Sequence, residues 1–375
     1  MKEMSLYIHI PFCKQKCLYC DFPSYAGKEN LIDEYISALN KEILDKCKDY
    51  KIISIFIGGG TPSYLDEKNL ESLLKTIDLL DFKDNMEFTV ECNPGTLNEK
   101  KLTIMKKYNV NRISMGLQST SDNLLKEIGR IHTFEEFKKN YYEARKAGFE
   151  NINMDLMFGL PNQSIEDWKL TLEDAVSLNP DHISAYSLII EEGTCFYNLY
   201  NNDKLNLPSE EDEREMYLLT KKILNEHGYE QYEISNYAKG GKECFHNKIY
   251  WKCNEYLGVG VSASSFVDEK RFKNIDSIKE YIEKINNGED VIEDIHVNGL
   301  KDDMEEFMFM GLRMIEGVSL KEFKRRFGKD VFDIYDNAIK NNVKKGLLVI
   351  DSEKLYLTSK GIEVSNYVMS DFILN

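Results

Sequence analysis

Along the first 190 residues, short apolar segments alternate with charged amphipathic ones, and that alternation leaves few folds open. The strand-like segments are "SLYIHI" (5–10), "IISIFIG" (52–58), "MEFTVEC" (86–92), "RISMGL" (112–117), "INMDLMFG" (152–159) and "HISAYSLII" (182–190). Each is rich in apolar or β-branched residues and bounded by Gly, Pro, Asn or Asp. The stretches between them, of which "LIDEYISALNKEILDKC" and "FEEFKKNYYEARKAG" are the clearest, carry helical period, and Gly148 stops the second as a C-cap. Six such units predict an α/β fold: a parallel sheet curled into a partial (β/α) six-unit TIM-type barrel. The nearly continuous apolar run "IISIFI" fits a strand covered on both faces.

Barrels of this kind gather reactive groups at the carboxyl ends of their strands. The polar oddities of this chain sort that way. A loop with Cys13, Cys17 and Cys20 follows the first strand, and Gly58-Gly59-Gly60-Thr61 follows the second. Glu91 ends the third, Gln118 follows the fourth, and Asp155 lies within the fifth.

The composition, 42% apolar and 30% charged residues over 375, is that of an ordinary globular protein. "MKEMSLYIHI" has no basic leader with an apolar core, and no apolar run reaches the ~18 residues of a transmembrane helix, so a cytoplasmic location is expected. There, clustered cysteines point to metal or chemistry before disulfides. Three thiols on one loop cannot close a four-coordinate site; either a fourth ligand comes from elsewhere, or one metal position is left for an exogenous group. Cys47, Cys92 and Cys195 read as buried small hydrophobes. A net charge of −16 argues against nucleic acid as the main partner.

"CKQKCLYC", Cys-x3-Cys-x2-Cys after a first strand and with Tyr19 before the third cysteine, resembles the radical S-adenosylmethionine (SAM) superfamily. The resemblance implies a [4Fe-4S] cluster on Cys13, Cys17 and Cys20, with one iron open to the amino and carboxylate groups of SAM, and an electron donor to the cluster. In the same family the "IGGGTPS" segment, with Gly59, Gly60 and Thr61, binds the SAM ammonium. Glu91, Gln118, Arg130 and Asp155 match further family positions: Gln118 and Asp155 for the ribose or methionine portion, Arg130 for the carboxylate. Tyr7, six residues before Cys13, matches a tyrosine at the SAM site.

The ordered motifs "YIHIPFC", "GGGTPS", "ECNPGT", "RISMGLQS", "GRIH" and "DLMFGLPNQS" resemble a narrower group spanning the whole chain, which contains oxygen-independent coproporphyrinogen III oxidases and related heme chaperones. The oxidase pattern has a further cysteine two residues after the third ligand; here that position is Phe22. The chaperone pattern His-Asn-x-x-Tyr-Trp is matched by His246, Asn247, Tyr250 and Trp251. This implies heme bound through His246, flat apolar surface from Tyr250 and Trp251, and delivery to a heme-acceptor protein. Cys244 and Cys253 flank the motif and rank below His246 as iron ligands. The alternative is the dehydrogenase itself, which converts two propionates of a porphyrinogen to vinyls. Three regions are expected: a core over 1–200, an irregular region carrying the HNxxYW motif over 201–297, and a winged-helix-like unit over 298–375. The last holds 12 Lys/Arg against 13 Asp/Glu over 301–375, which leaves packing as its default role and nucleic acid the weaker one.

Overall fold

The computed structural model describes residues 1–374. The six expected strands form as β1 (Lys2–Ile10), β2 (Tyr50–Gly59), β3 (Asp81–Cys92), β4 (Arg112–Gln118), β5 (Ile152–Phe158) and β6 (His182–Ser187). They pair in that order, all parallel. The connecting helices behave as their caps dictate. Helix Phe134–Lys146 starts in a Thr133/Glu136 capping box, and its chain turns out through Gly148 at φ +87°.

The residues of β1–β6 alternate between two faces, apart from register shifts at Met4/Ser5, Ile52/Ser54 and Gly116/Gln118. Leu6, Ile8, Ile55, Ile57, Val90, Ile113, Met115, Met154, Leu156 and Ile183 face the helices and are fully buried in the main core. The opposite face is polar: Ser5, Tyr7 and His9 on β1; Glu87, Thr89 and Glu91 on β3; Arg112, Ser114, Gly116 and Gln118 on β4; Asn153 and Asp155 on β5; His182 and Ser184 on β6. Within "IISIFI", Ser54 belongs to this face and bonds Ser5 Oγ at 2.9 Å. A parallel strand covered on both sides is therefore apolar toward its helices and polar toward the face that carries the site.

The region 201–297 continues the sheet at both ends. Beside β6 run β7 (Glu230–Gln231) and β8 (Asn236–Ala238); beside β1 run β9 (Tyr256–Val259), β10 (Ser264–Val267), β11 (Lys270–Asn274) and β12 (Ile292–Val297). The sheet has twelve strands and is not closed, since β12 and β7 are its two ends. These added strands are two to six residues long, too short for a period-2 signal, which is why the segment reads as irregular.

After Gly299 the chain is mostly helical, with a three-stranded sheet of β13 (Val318–Ser319), β15 (Lys354–Leu357) and β14 (Leu348–Ile350), the last two making the expected hairpin. It has its own core of Met308, Phe323, Leu355, Val368 and Phe372. Two backbone bonds stitch it to the main sheet: Ile234 N to Arg313 O at 3.1 Å and Ile315 N to Tyr232 O at 3.0 Å. Among the described residues no helix is long and apolar enough to cross a membrane.

Candidate functional site

The cysteine loop is fixed by backbone bonds at both of its ends and in the middle. Cys13 N donates to Tyr25 O at 3.0 Å and Tyr25 N to Pro11 O at 2.8 Å. Leu18 N donates to Ile128 O at 3.1 Å, and Phe196 N, at the start of helix Cys195–Tyr200, donates to Leu18 O at 2.9 Å. The glycine segment is laced to the same loop: Gly60 N bonds Ile10 O and Thr61 N bonds Phe12 O, both at 2.8 Å. Gly59 sits at φ +108° against the His9 ring, so a side chain there is excluded twice, by backbone and by space. Beneath the loop, Tyr7 OH meets His9 Nδ1 at 2.9 Å, and His9 Nε2 meets the carbonyl oxygen of Pro23 at 2.8 Å.

Cys13, Cys17 and Cys20 all line one cavity of about 390 Å³ at the carboxyl ends of the strands. Its walls include Tyr19, Gly59, Gly60, Thr61, Glu91, Gln118, Arg130 and Asp155. Three dispersed loop thiols, the backbone at the end of β2 and side chains from β3, β4 and β5 thus meet in one place. Cys13 Sγ lies 3.5 Å from Thr61 Oγ1, Cys20 Sγ 4.0 Å from Ser24 Oγ, and Cys17 Sγ 3.7 Å from Arg130 Nη1. Burial pushes the Cys13 and Cys20 thiols up from their ordinary value.

Arg130 also donates to Asn93 Oδ1 at 2.8 Å and to the Gly116 carbonyl oxygen. Gly116 leaves the room: a Cβ there would fall 2.8 Å from Arg130 Nη2 and 3.0 Å from Asn93 Oδ1. Gly59 N donates to Glu91 Oε2 at 3.1 Å, while Asp155 accepts from Ser114 Oγ at 3.1 Å and Asn153 Nδ2 at 2.8 Å. Burial, and then the charge of Asp155, raises Glu91 to about 8; burial raises Asp155 as well. Gln118, a non-glycine at φ +68°, turns out of the strand into the cavity, the kind of backbone strain that collects at binding sites. The floor thus presents carboxyl and amide groups that can hydrogen-bond hydroxyls or an ammonium, and the Arg130 guanidinium beside the thiols presents a positive charge to an anion.

Sequence reasoning passed over Asn93, Ser114, Gly116 and Tyr186, which line the same cavity. The signal for three of them was period 2: Ser114 and Gly116 share the face of Gln118 on β4, and Tyr186 shares that of Ser184 on β6. Asn93 had the look of a turn residue. Cys47 and Cys92 are buried as expected, whereas Cys195 is exposed: it opens a six-residue helix whose buried residue is Phe196.

Tyr7 and the HNxxYW residues lie outside this cavity. The motif forms a helix, Phe245–Trp251, packed against the amino end of the polar face. Cys244 offers no side-chain cap; Glu87 of β3 does so instead, accepting from Phe245 N at 2.9 Å, His246 N at 3.0 Å and Cys244 Sγ at 3.3 Å. His246 is 0% exposed, with Nδ1 at 2.9 Å from Ser54 Oγ and Nε2 at 2.9 Å from Tyr250 OH. Burial, with Arg112 nearby, lowers it to about 3, so the imidazole is neutral with both nitrogens engaged. Trp251 turns the other way, under the Arg313 guanidinium at 4.5 Å from its ring centroid. Asn247 is partly buried on the same helix.

Three loop thiols over a strand-end cavity, on a parallel sheet of this order, define a radical SAM protein, and comparison bears this out. Residues 7–175 match the model of the radical SAM superfamily, and residues 300–364 that of the HemN C-terminal domain. The fold superposes on Escherichia coli coproporphyrinogen III oxidase (HemN) with a TM-score of 0.86 over 99% of this chain and 90% of that one, at 22% identity. The heme chaperone HemW of Bacillus subtilis is 40% identical over 98% of this chain and 99% of its own length; that of Escherichia coli is 41% identical over 70% of each. The chain belongs to the HemW heme chaperone family.

Proposed function

We propose that this chain carries heme to an acceptor protein on a radical SAM core. A [4Fe-4S] cluster would be held by Cys13, Cys17 and Cys20, with SAM in the remainder of the same cavity. The observation that carries the reading is the meeting of those three thiols with Arg130, Glu91, Gln118 and Asp155 around one space. The donor set fits: soft sulfur ligands on one rim, and on the floor acceptors suited to the ammonium and ribose of SAM. When bound, the cluster supplies the electron that cleaves the SAM sulfonium. Arg130 offsets thiolate charge at Cys17 and can pair with the SAM carboxylate, while Thr61 and Ser24 hold the other two sulfurs in place.

Heme binding rests on the motif helix and on the relatives' printed function. A neutral imidazole is a competent iron ligand. For His246 to ligate, its bond to Tyr250 or the one to Ser54 must be exchanged for one to iron, because in this conformation neither nitrogen is free. The test is anaerobic reconstitution followed by hemin titration of the wild type and His246→Ala. The visible absorbance of a [4Fe-4S] cluster and, on adding hemin, a Soret band are expected from the wild type; no hemin binding would remove the function. An unchanged spectrum in His246→Ala would remove that imidazole from the iron. Phe22, on the rim where the oxidase has a cysteine, supports a chaperone over the dehydrogenase. Protoporphyrinogen formed at turnover from coproporphyrinogen III, SAM and a reductant would reverse that choice.

A further inference from the structure

Asn93, the first residue after β3, reaches two of the three loop sulfurs through its neighbours. Its Oδ1 accepts from Arg130 Nη2 at 2.8 Å, and its Nδ2 donates to Thr61 Oγ1 at 2.7 Å. The direction of these bonds is fixed. A guanidinium can only donate, so the amide must turn its oxygen to Arg130 and its nitrogen to Thr61. Thr61 Oγ1 then accepts, and its own proton is left for Cys13 Sγ at 3.5 Å. On the other arm, Arg130 Nη1 donates to Cys17 Sγ at 3.7 Å. Among the described residues Asn93 Oδ1 is the only side-chain oxygen that Arg130 bonds. The backbone of Asn93 is held as firmly. Its N donates to Ser63 Oγ at 3.1 Å, and its carbonyl oxygen accepts from Thr96 Oγ1 at 2.6 Å. Lys101 Nζ, buried beneath, ties Ser63 O and Thr96 O together at 2.7 and 2.9 Å. The "ECNPGT" turn is thereby fastened to "GGGTPS", with one amide fixed between the glycine segment and Arg130.

We propose that Asn93 is a positioning residue for the cluster: its amide aims one donor at Cys13 Sγ, through Thr61, and another at Cys17 Sγ, through Arg130. The inference rests on the cluster reading of the thiol cavity and adds to it the group that sets the sulfurs' hydrogen bonds. Donors on ligand sulfurs stabilise the more negative, reduced cluster, so they raise its reduction potential. The residue type matters. An amide donates on one side and accepts on the other. A carboxylate in its place would keep Arg130 but accept from Thr61, turning that hydroxyl away from Cys13. Cys20 stands outside this arc, since its sulfur faces Ser24 Oγ at 4.0 Å.

Wild type, Thr61→Val, Asn93→Asp and Asn93→Ala are reconstituted anaerobically at full length, and the midpoint potential without SAM is read by electron paramagnetic resonance during a reductive titration. Iron content and the Tm of the metal-free proteins are measured alongside. Thr61→Val removes the donor to Cys13 and should disfavour reduction about tenfold, about 59 mV for a one-electron couple. Asn93→Asp, nearly the same in volume and still bonded to Arg130, should lower the potential at least as far. In the Thr61→Val background it should add less than it does alone, because the hydroxyl it turns is gone. Asn93→Ala brings no charge and loosens both arms; it should lower the potential too, and weaken SAM binding several-fold by calorimetry. A purely structural Asn93 would cost iron content or Tm and leave the loaded fraction at the wild-type potential. That result, or an Asn93→Asp effect undiminished by Thr61→Val, would overturn the proposal and leave the cluster reading standing. A wild type that takes up no four-iron cluster would end both.

Discussion

Glu87 is the test of whether the motif helix is held by one distant carboxylate. It sits on β3, more than 150 residues before the helix it caps, and replaces the side-chain cap that Cys244 does not provide. Glu87→Ala removes two charge-assisted bonds to Phe245 N and His246 N and leaves both donors without a protein partner. Each such bond contributes about 1.5 to 3 kcal/mol. The helix start is open to solvent on the side of Phe245, which is 41% exposed, and screening there brings the pair down to about 2 or 3 kcal/mol in all. Spread over the unfolding entropy of a chain this long, that is a fall in Tm of about 3 °C. The larger effect is local. The helix is seven residues long and cannot persist alone, so its opening free energy should drop by the full amount. Hydrogen exchange over residues 244–252 should accelerate about 30- to 140-fold while β4 and β5 stay protected. Glu87→Gln, which keeps an acceptor and loses the charge, should fall between. Unaltered exchange in 244–252 of Glu87→Ala would refute the account, and packing of Ile249 and His246 would then be what fixes the helix.

Cys17→Ser should lose the cluster's visible absorbance on reconstitution, and with it SAM binding measured by calorimetry, while hemin affinity stays within about twofold, since the motif helix lies outside the thiol cavity. Gly116→Ala places a methyl 2.8 Å from Arg130 Nη2, so the guanidinium must leave Asn93; SAM affinity should drop by about tenfold, with Tm lowered by about 2 to 4 °C. For Glu91, whose carboxyl is raised from 4.5 to about 8, the folded protein keeps a proton that the unfolded chain gives up. Its contribution is then fully present below about 4.5, declines as pH rises, and is gone above about 8. Relative to Glu91→Gln, the Tm of the ligand-free wild type should therefore fall between those limits, and parallel pH profiles would show that the carboxyl is not raised.

Much of this architecture is written in local sequence, and the exceptions have physical causes. β1 to β6 were legible because long buried strands carry both apolar enrichment and period 2, and the cavity's acids and amides stood out as polar residues at strand ends. The polar face as a whole was less so: in "IISIFI" one Ser among four isoleucines hides the alternation that the structure makes plain at Ser54 and Phe56. Strands β7 to β12 are too short to have a period at all, and find their places only by adding to edges that β6 and β1 already provide. Tertiary caps escape sequence reading altogether. Nothing near Cys244 announces that Glu87 will supply the missing acceptor, and nothing near Trp251 announces Arg313, because those partners lie tens to hundreds of residues away. The motif "HNKIYW" shows the consequence. Its residues are consecutive, so sequence reading treats them as one site; but a helix turns about 100° per residue, and Tyr250 and Trp251 necessarily look in different directions. Tyr250 joins His246 in the interior, one turn apart, and Trp251 faces the C-terminal unit. A string of six residues can thus serve two surroundings, and the structure argues that here the helix connects the polar face of the sheet to the domain that follows it.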